Sequence, residues 1–292
     1  MILFLHSLLG TPSLWLPHIR GILGLESDYS DRYLIDLFTF ALPGHPDNDQ
    51  SWTLENARHW LRNVINEKLP KQQELAKKLI LTNKPEIIKT IKDTKLTLVG
   101  HELGAVIALE YALQNVTQIQ RLVLIGCGNS FNHWGLKLRS WLYSQFYSLS
   151  PKTLKQIMYW SKKPRHKNFW SILSENLSRE AITSGLRILD EFDFSEKFQK
   201  LDLDNQVQFI RVPIFLMRGQ FDWVCPAKEF VKLQEMLDPN KEIWQKRKSV
   251  IDLGKATSKT KSTTYQLTGR NVMDARPVQF ILDVREFIRD SA

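Results

Sequence analysis

Glu102 lies at the centre of a pattern that places a carboxylate on a sharp turn. Residues 96–112, LTLVGHELGAVIALEYA, have the composition of an apolar strand followed directly by an apolar helix. Gly100 and Gly104 stand two residues before and two residues after Glu102. A side chain at either glycine would collide with the neighbouring helix or strand. A carboxylate held on such a turn has three chemical uses: nucleophile, general base, or one half of a buried ion pair.

Two more charged residues follow predicted strands late in the chain. Asp222 comes after the apolar run 212–219, and Arg270 comes after the run 263–269. Strand ends carry the functional groups in open α/β folds, so these side chains should lie near Glu102. One arginine can donate to two carboxylates at once. The pattern therefore predicts a contiguous cluster in which Arg270 lies between Glu102 and Asp222.

The elements that must position these residues alternate between strand and helix. Near-continuous apolar strands indicate a mostly parallel sheet that is covered on both faces. We expect a doubly wound α/β fold with about six strands. The predicted strands are 2–6, 32–38, 96–100, 121–126, 212–219 and 263–269, and the predicted helices are 54–69, 103–115, 227–237 and 277–288.

The alternation stops in the middle of the chain, which predicts an insertion. Residues 129–210 contain helical patterns and no convincing strand, so we expect a helical cap there. The core would then consist of residues 1–128 and 211–292. The stretch 255–264, KATSKTKSTT, is polar and predicts a solvated loop.

Five segments together resemble the α/β-hydrolase superfamily. The segment 100–104, GHELG, is similar to the G-x-S-x-G nucleophile elbow, and the start FLHSLLGTPSLW is similar to the oxyanion-hole loop. Residues 36–47, 212–226 and 268–288 are similar to the D-x-P-G-H-G segment, the acid loop and the histidine loop with the final helix. The resemblance puts Glu102, Arg270 and Asp222 at the serine, histidine and acid positions. The oxyanion and binding residues that it implies are His6, Ser7, Leu8, His101 and Leu103.

This resemblance implies a hydrolase fold without the serine-hydrolase mechanism. Glutamate is not the serine nucleophile, and a guanidinium stays protonated and cannot act as the base. We therefore expect a binding or regulatory pseudo-hydrolase that takes a small apolar or acidic ligand, a lipid surface or a protein.

Three alternatives stay open. Glu102 could be a nucleophile, as aspartate is in related dehalogenases, but the histidine that activates water is absent. It could be a general base, although a neighbouring Arg270 lowers a carboxylate pKa and weakens it as a base. The chain would then be a hydrolase or lyase acting on an ester, a thioester or a carbon–carbon bond. Finally, Glu102 and Arg270 could have drifted separately and point to solvent.

An excess of positive charge almost equal to the whole net charge lies in residues 127–174, most of which belong to the first part of the predicted cap. The chain has a net charge of +9, and residues 127–174 contain eight basic and no acidic residues together with ten aromatic residues. Such a cap could meet an anionic membrane, an acidic protein or an acidic ligand. Nucleic acid is the least favoured partner, and a cap whose aromatic residues simply face the core is the plain structural alternative. The cap residues selected as a candidate surface are Lys137, Arg139, Trp141, Lys162, Lys163 and Arg165.

Composition excludes several classes of protein. The chain is 43% hydrophobic and 24% charged, which is typical of a globular protein. No apolar run is long enough for a transmembrane helix, and the start lacks a signal-peptide pattern. Two cysteines build neither a disulfide framework nor a metal site, and no cofactor motif is present. We expect a cytoplasmic protein without metal or cofactor, with peripheral membrane attachment as an alternative.

Overall fold

A five-stranded parallel sheet forms the centre of the protein. The structure is a computed structural model that describes residues 1–8, 10–25, 29–42, 53–80, 95–131, 179–238 and 259–290. The strands follow chain order across the sheet, and one row of partners runs through all of them: Leu3, Leu98, Leu122, Ile214 and Thr260. The strands are β1 (Ile2–Leu5), β2 (Leu96–His101), β3 (Ile119–Ile125), β4 (Ile214–Gly219) and β5 (Thr260–Tyr265).

Helices cover both faces of this sheet, as the alternating sequence predicts. Two clusters of buried apolar side chains lie on its two faces. The α-helices in the described residues are α1 (Leu16–Leu23), α2 (Asp31–Phe38), α3 (Leu54–Ile80), α4 (Leu103–Gln114), α5 (Arg179–Glu191), α6 (Phe194–Gln199), α7 (Leu203–Ile210), α8 (Ala227–Leu237), α9 (Val272–Ala275) and α10 (Pro277–Asp290). Short 3-10 helices occupy Pro12–Trp15 and Val116–Gln118. None of the described helices is both long and apolar enough to cross a membrane.

The predicted strand over residues 32–38 is wrong, because this segment forms helix α2. Its buried residues Leu34, Leu37 and Phe38 are spaced three and four apart along one helical face. Ser30 caps the helix by accepting a hydrogen bond from the backbone N–H of Tyr33. Only Thr39, just after the helix, pairs with Phe4 as an isolated bridge. The described sheet therefore has five strands and not six.

Gln72 on helix α3 closes the outer edge of β1. Its side-chain amide donates to the carbonyl oxygens of Ile2 at 2.8 Å and Leu37 at 3.0 Å. Its Oε1 accepts from the N–H of Ile2 at 3.0 Å. The side chain is fully buried, so it replaces the backbone partners that an additional strand would supply. Helix α3 continues to Ile80, well beyond the predicted end at residue 69, and its extension also buries Leu75 and Ala76.

The polar stretch 255–264 was predicted as a loop, and that prediction is wrong for its last five residues. Strand β5 begins at Thr260 and pairs in parallel with β4 along its whole length. Threonine is branched at Cβ and favours strands, while its hydroxyl tolerates the partial exposure of an edge position. Among its residues, only Tyr265 is buried. Residues 255–258 lie outside the described residues.

The described part of the predicted cap is helical and packs into the main core. Within residues 129–210 the structure describes 129–131 and 179–210, which hold α5, α6 and α7. The rings of Phe194, Phe198 and Phe209 pack on one another with centroids 5.2–6.0 Å apart. They belong to the same apolar cluster as β2 and β3. The domain boundaries at 129 and 210 stay a prediction.

Candidate functional site

Glu102 occupies the turn between strand β2 and helix α4 in a strained backbone conformation. Its φ is 51° and its ψ is −108°. A residue other than glycine adopts a positive φ only at a cost of about 1–3 kcal/mol. The backbone N–H of Glu102 donates to the carbonyl of Ile125 at 2.8 Å, and its carbonyl accepts from Val106 at 3.0 Å. These contacts hold the turn between β3 and the first turn of α4.

The glycines on either side of Glu102 let three backbone segments approach closely. A Cβ atom at Gly100 would lie 2.5 Å from the carbonyl oxygen of Gly104. A Cβ atom at Gly104 would collide with the carbonyl oxygens of Leu5 and His6, at 2.6 Å for His6. The predicted collision of any side chain at these two positions is therefore confirmed.

An ion pair joins Glu102 to Arg270 across 168 positions of sequence. The Nη2 group of Arg270 donates to Oε2 of Glu102. The Glu102 side chain is 1% exposed, whereas the Arg270 side chain is 17% exposed. The expected contact between these two side chains is present, so neither of them points separately to solvent. The guanidinium is the member of the pair that solvent or a ligand can reach.

Asp222 lies near this pair but does not contact it directly. One carboxylate oxygen, Oδ1, accepts from the backbone N–H groups of Val224 at 3.0 Å and Cys225 at 3.1 Å. The other, Oδ2, faces Gly126. Gly126 directly follows strand β3 and has a φ of 60°. In the described part of the chain, Asp222 forms no ion pair with Arg270. The predicted bridging of two carboxylates by Arg270 is wrong. The backbone N–H groups of Val224 and Cys225 bind the carboxylate of Asp222 within its own loop, away from the guanidinium.

Burial sets the ionisation of Asp222. Desolvation raises the pKa of its carboxyl above the ordinary value. The backbone hydrogen bonds from Cys225 and Val224 and the charge of Arg270 oppose that rise. Asp222 thus acts on Arg270 through space rather than through a hydrogen bond.

His101 is the last residue of strand β2 and directly precedes Glu102. It is buried, and the charges of Arg270 and Glu102 both act on its imidazole. Burial, followed by the charge of Arg270, lowers the pKa of His101 to about 4. The imidazole is therefore neutral at neutral pH. The resemblance implied a binding role for His101, and that role stays a prediction.

The loop after strand β1 is locked beside helix α4. His6 donates from Nδ1 to the carbonyl of Ser7 at 2.8 Å and accepts at Nε2 from the N–H of Leu42 at 3.0 Å. Gly10 donates to the same Ser7 carbonyl at 2.8 Å. The predicted position of His6 and Ser7 in the loop after the first strand is therefore correct. Their role as an oxyanion site stays a prediction.

Leu8 and Leu103 face helix α5 at a glycine that the sequence analysis did not select. Both side chains are buried. A Cβ atom at Gly185 would collide with Leu8 and would lie 3.1 Å from Leu103. Glycine inside an otherwise amphipathic helix is the signal that could have indicated this close approach.

The two cysteine thiols add no reactive group to the described site. Both cysteines, Cys127 and Cys225, are buried, and burial raises the pKa of each thiol. Neither thiol is therefore reactive. Within the described ranges, no three His, Cys, Asp or Glu side chains are grouped to hold a metal ion. The candidate surface residues of the cap, Lys137, Arg139, Trp141, Lys162, Lys163 and Arg165, lie outside the described residues.

The parallel sheet, the strained turn after β2 and the charged side chains at the strand ends define the class of protein as an α/β-hydrolase fold. The model of the alpha/beta hydrolase family matches residues 2–229. The chain therefore belongs to the alpha/beta hydrolase family. No curated protein is similar enough in sequence to count as a match.

Solved structures with this fold include several hydrolases at low sequence identity. An esterase from Exiguobacterium antarcticum has a TM-score of 0.64 at 15% identity, with 98% of this chain and 91% of that chain covered. A carboxylesterase structure from the ammonia-oxidizing Thaumarchaeon Nitrososphaera gargenis has a TM-score of 0.63 at 16% identity, covering 99% and 90%. The enol-lactonase from Burkholderia xenovorans LB400 has a TM-score of 0.63 at 12% identity, covering 98% and 90%. At these identities the similarity shows the fold alone.

Proposed function

We propose that this chain is a binding or regulatory pseudo-hydrolase, in which an ion pair between Glu102 and Arg270 has replaced the serine and histidine of the family. The contact between these two side chains is the observation that supports the proposal. A carboxylate paired with a guanidinium is a weak base, because the neighbouring positive charge stabilises its ionised form. The guanidinium cannot accept a proton. The pair thus supplies neither a nucleophile–base couple nor a base that could activate water.

The ligand that fits this site best is a small molecule with an acidic group. Arg270 is partly exposed while Glu102 is not, so an approaching ligand meets the guanidinium first. Helix α4 begins at Leu103, and the N-terminus of a helix favours negative charge.

An enzyme with altered catalytic groups is the second candidate. The observation that favours it is the retained strain at Glu102, whose φ is 51°. Strained backbone positions cluster at active sites. A turn kept for folding alone would be more stable with glycine at this position. The substrate would then be an ester, a thioester or a compound with a reactive carbon–carbon bond.

A panel of aryl esters and acyl thioesters distinguishes the two candidates. We expect no turnover from the wild type and measurable turnover from Glu102→Ser/Arg270→His, because that variant restores the residue types of the family mechanism. Adding Asp222→Asn to the restored variant should abolish its turnover, which is the matched control. Wild-type turnover that disappears in Glu102→Gln would overturn the pseudo-hydrolase and establish the enzyme.

A further inference from the structure

Two buried polar atoms at the carboxyl edge of the sheet have no hydrogen-bond partner among the described residues. They are Oδ2 of Asp222 and Nε2 of His101. Both residues are only 3% exposed. Buried polar groups are nearly always hydrogen-bonded in folded proteins, because a group without a partner loses its hydration and gains nothing in return. Two such atoms in one site therefore point to a bound group that supplies their hydrogen bonds.

Both atoms border the position that a side chain at Gly126 would occupy. An ideal Cβ atom at Gly126 would lie 3.2 Å from Oδ2 of Asp222 and 3.9 Å from Nε2 of His101. Its third near neighbour would be Cδ2 of the same histidine, at 3.8 Å. The glycine thus leaves room beside both polar atoms at once.

The backbone fixes the position of each group around this site. The N–H of Gly126 donates to the carbonyl of Met217 at 2.8 Å. Backbone N–H groups of its own loop hold Oδ1 of Asp222, while Oδ2 faces Gly126. His101 is paired in the sheet with Ile125, the residue directly before Gly126. Because the two polar atoms are already positioned, little entropy is lost when a group binds between them.

The two atoms together select a hydroxyl group. The neutral imidazole of His101 donates at Nε2 in one tautomer and accepts there in the other, and a hydroxyl group serves both. A hydroxyl group also donates to an ionised Asp222, which a carbonyl oxygen cannot do. A second carboxylate would be repelled by Asp222. An ammonium group has three donors for two atoms, and the positive charge of Arg270 already acts on both residues.

We propose that Asp222 and His101 bind one hydroxyl group between them, beside Gly126. This hydroxyl belongs either to a water molecule or to a small ligand. A ligand hydroxyl makes the ligand a small hydroxy acid whose acidic group meets Arg270, and in that case the inference rests on the proposed function. A bound water molecule does not require the proposed function.

Crystal structures of the wild type test the proposal, one without a ligand and one soaked with 3-hydroxybutyrate. We expect density for an oxygen atom within about 3.2 Å of both Oδ2 of Asp222 and Nε2 of His101. Density in the crystal without a ligand identifies water as the source. Density that is found only after soaking and is continuous with the ligand identifies the ligand hydroxyl. If neither crystal shows such density, the proposal is overturned.

Calorimetric titration with 3-hydroxybutyrate and with butyrate, which lacks the hydroxyl, distinguishes the two sources in solution. A ligand hydroxyl predicts that the wild type binds 3-hydroxybutyrate about tenfold more tightly, the usual contribution of a hydrogen bond to a charged group. Asp222→Asn should reduce this preference, because it removes the charged acceptor. Asp274→Asn is the matched control, since it removes an exposed carboxylate whose charge also acts on His101, and it should keep the preference.

Failure of the proposed function gives a different result from failure of this inference. If neither acid binds, or if Arg270→Gln binds both as the wild type does, the acidic ligand of the proposed function is lost, and the crystal structures still decide on the hydroxyl site. Equal affinity for the two acids together with density in the ligand-free crystal leaves water as the bound group. NMR of the imidazole nitrogens needs no crystals: a resonance of His101 Nε2 typical of a nitrogen without a hydrogen bond would overturn the proposal.

Discussion

At Glu102 a carboxylate lies between the N-terminus of helix α4 and the guanidinium of Arg270. Both neighbours stabilise its charged form. The Glu102 side chain of this pair is almost completely buried. Removing one partner would therefore leave the other buried without its counter-charge, which is the costly case for an ion pair.

Double-mutant analysis should detect this coupling. Glu102→Gln and Arg270→Met should each lower the free energy of unfolding by about 3–5 kcal/mol, as expected when a buried pair is broken on one side. The combined variant should lose less than the sum, with a coupling of roughly 0.5–3 kcal/mol. Urea unfolding of the four proteins measures it. Strict additivity would show that the two side chains do not interact.

His101 should make the stability of the protein depend on pH. Its pKa is about 4 in the folded protein and 6.5 in the unfolded chain. Between these values the unfolded chain binds a proton that the folded protein does not. The free energy of unfolding should therefore fall as the pH decreases from 6.5 to about 4, by roughly 3 kcal/mol in total.

The variant His101→Gln isolates this contribution, because glutamine does not titrate. Its unfolding free energy should change less steeply over the same pH range than that of the wild type. The raised pKa of Asp222 acts in the opposite direction and is present in both proteins, so it cancels in the comparison. Parallel pH profiles for the two proteins would refute the role given to His101.

At the scale of elements, the position of helix α4 depends on the absence of a side chain at Gly104. Here the helix contacts the end of strand β1 backbone to backbone. Carbonyl oxygens cannot rotate away as a side chain can, so a Cβ atom must push the helix from the loop that holds His6. This contact fixes the distance between the strained turn and the loop after β1.

Gly104→Ala should lower the free energy of unfolding by about 1–3 kcal/mol, the usual cost of overpacking. Gly269→Ala is the matched control, since nothing lies within 4 Å of a Cβ atom there. The control should stay within about 0.5 kcal/mol of the wild type. Thermal and urea unfolding of both variants provide the comparison. Equal destabilisation by the two exchanges would argue against close approach at Gly104.

At the scale of the whole molecule, the net charge of +9 is distributed unevenly. Eight of the positive charges lie in residues 127–174, and acidic residues are absent there. Long-range attraction to an anionic surface depends on such local excess rather than on total charge. If the proposed pseudo-hydrolase meets a lipid surface, this local excess should govern its capture by anionic lipid.

Charge reversal within residues 127–174 should weaken capture by anionic vesicles, if a lipid surface is what the protein binds. Lys162→Glu/Lys163→Glu should bind phosphatidylserine vesicles more weakly than the wild type, with the largest difference at low salt, because charges are screened over roughly 8–10 Å. Arg211→Glu/Lys232→Glu changes the net charge equally at exposed positions on other elements. Vesicle sedimentation of the three proteins gives the comparison. Identical losses in both variants would mean that only the total charge matters.

Several features of this protein could be predicted because they depend on local composition or on the order of motifs. Helix α8 begins and ends at the predicted residues, since its apolar residues repeat with helical spacing and Pro226 precedes it. The glycines around Glu102 predict the strained turn. The order of the elbow and the histidine-loop segments predicts that Glu102 and Arg270 meet, although 168 positions separate them.

Other features were decided only by tertiary structure. Residues 260–264 form a strand because β4 supplies partners for their backbone, although their composition is that of a loop. Residues 32–38 form a helix because its buried face packs against β1 and α3, while Gln72 occupies the edge that another strand would use. Asp222 stays apart from Arg270 because the amides of its own loop hold one of its oxygens. Each of these outcomes depends on which distant groups supply hydrogen-bond partners to a backbone segment or to a charged side chain. The local sequence does not determine those partners.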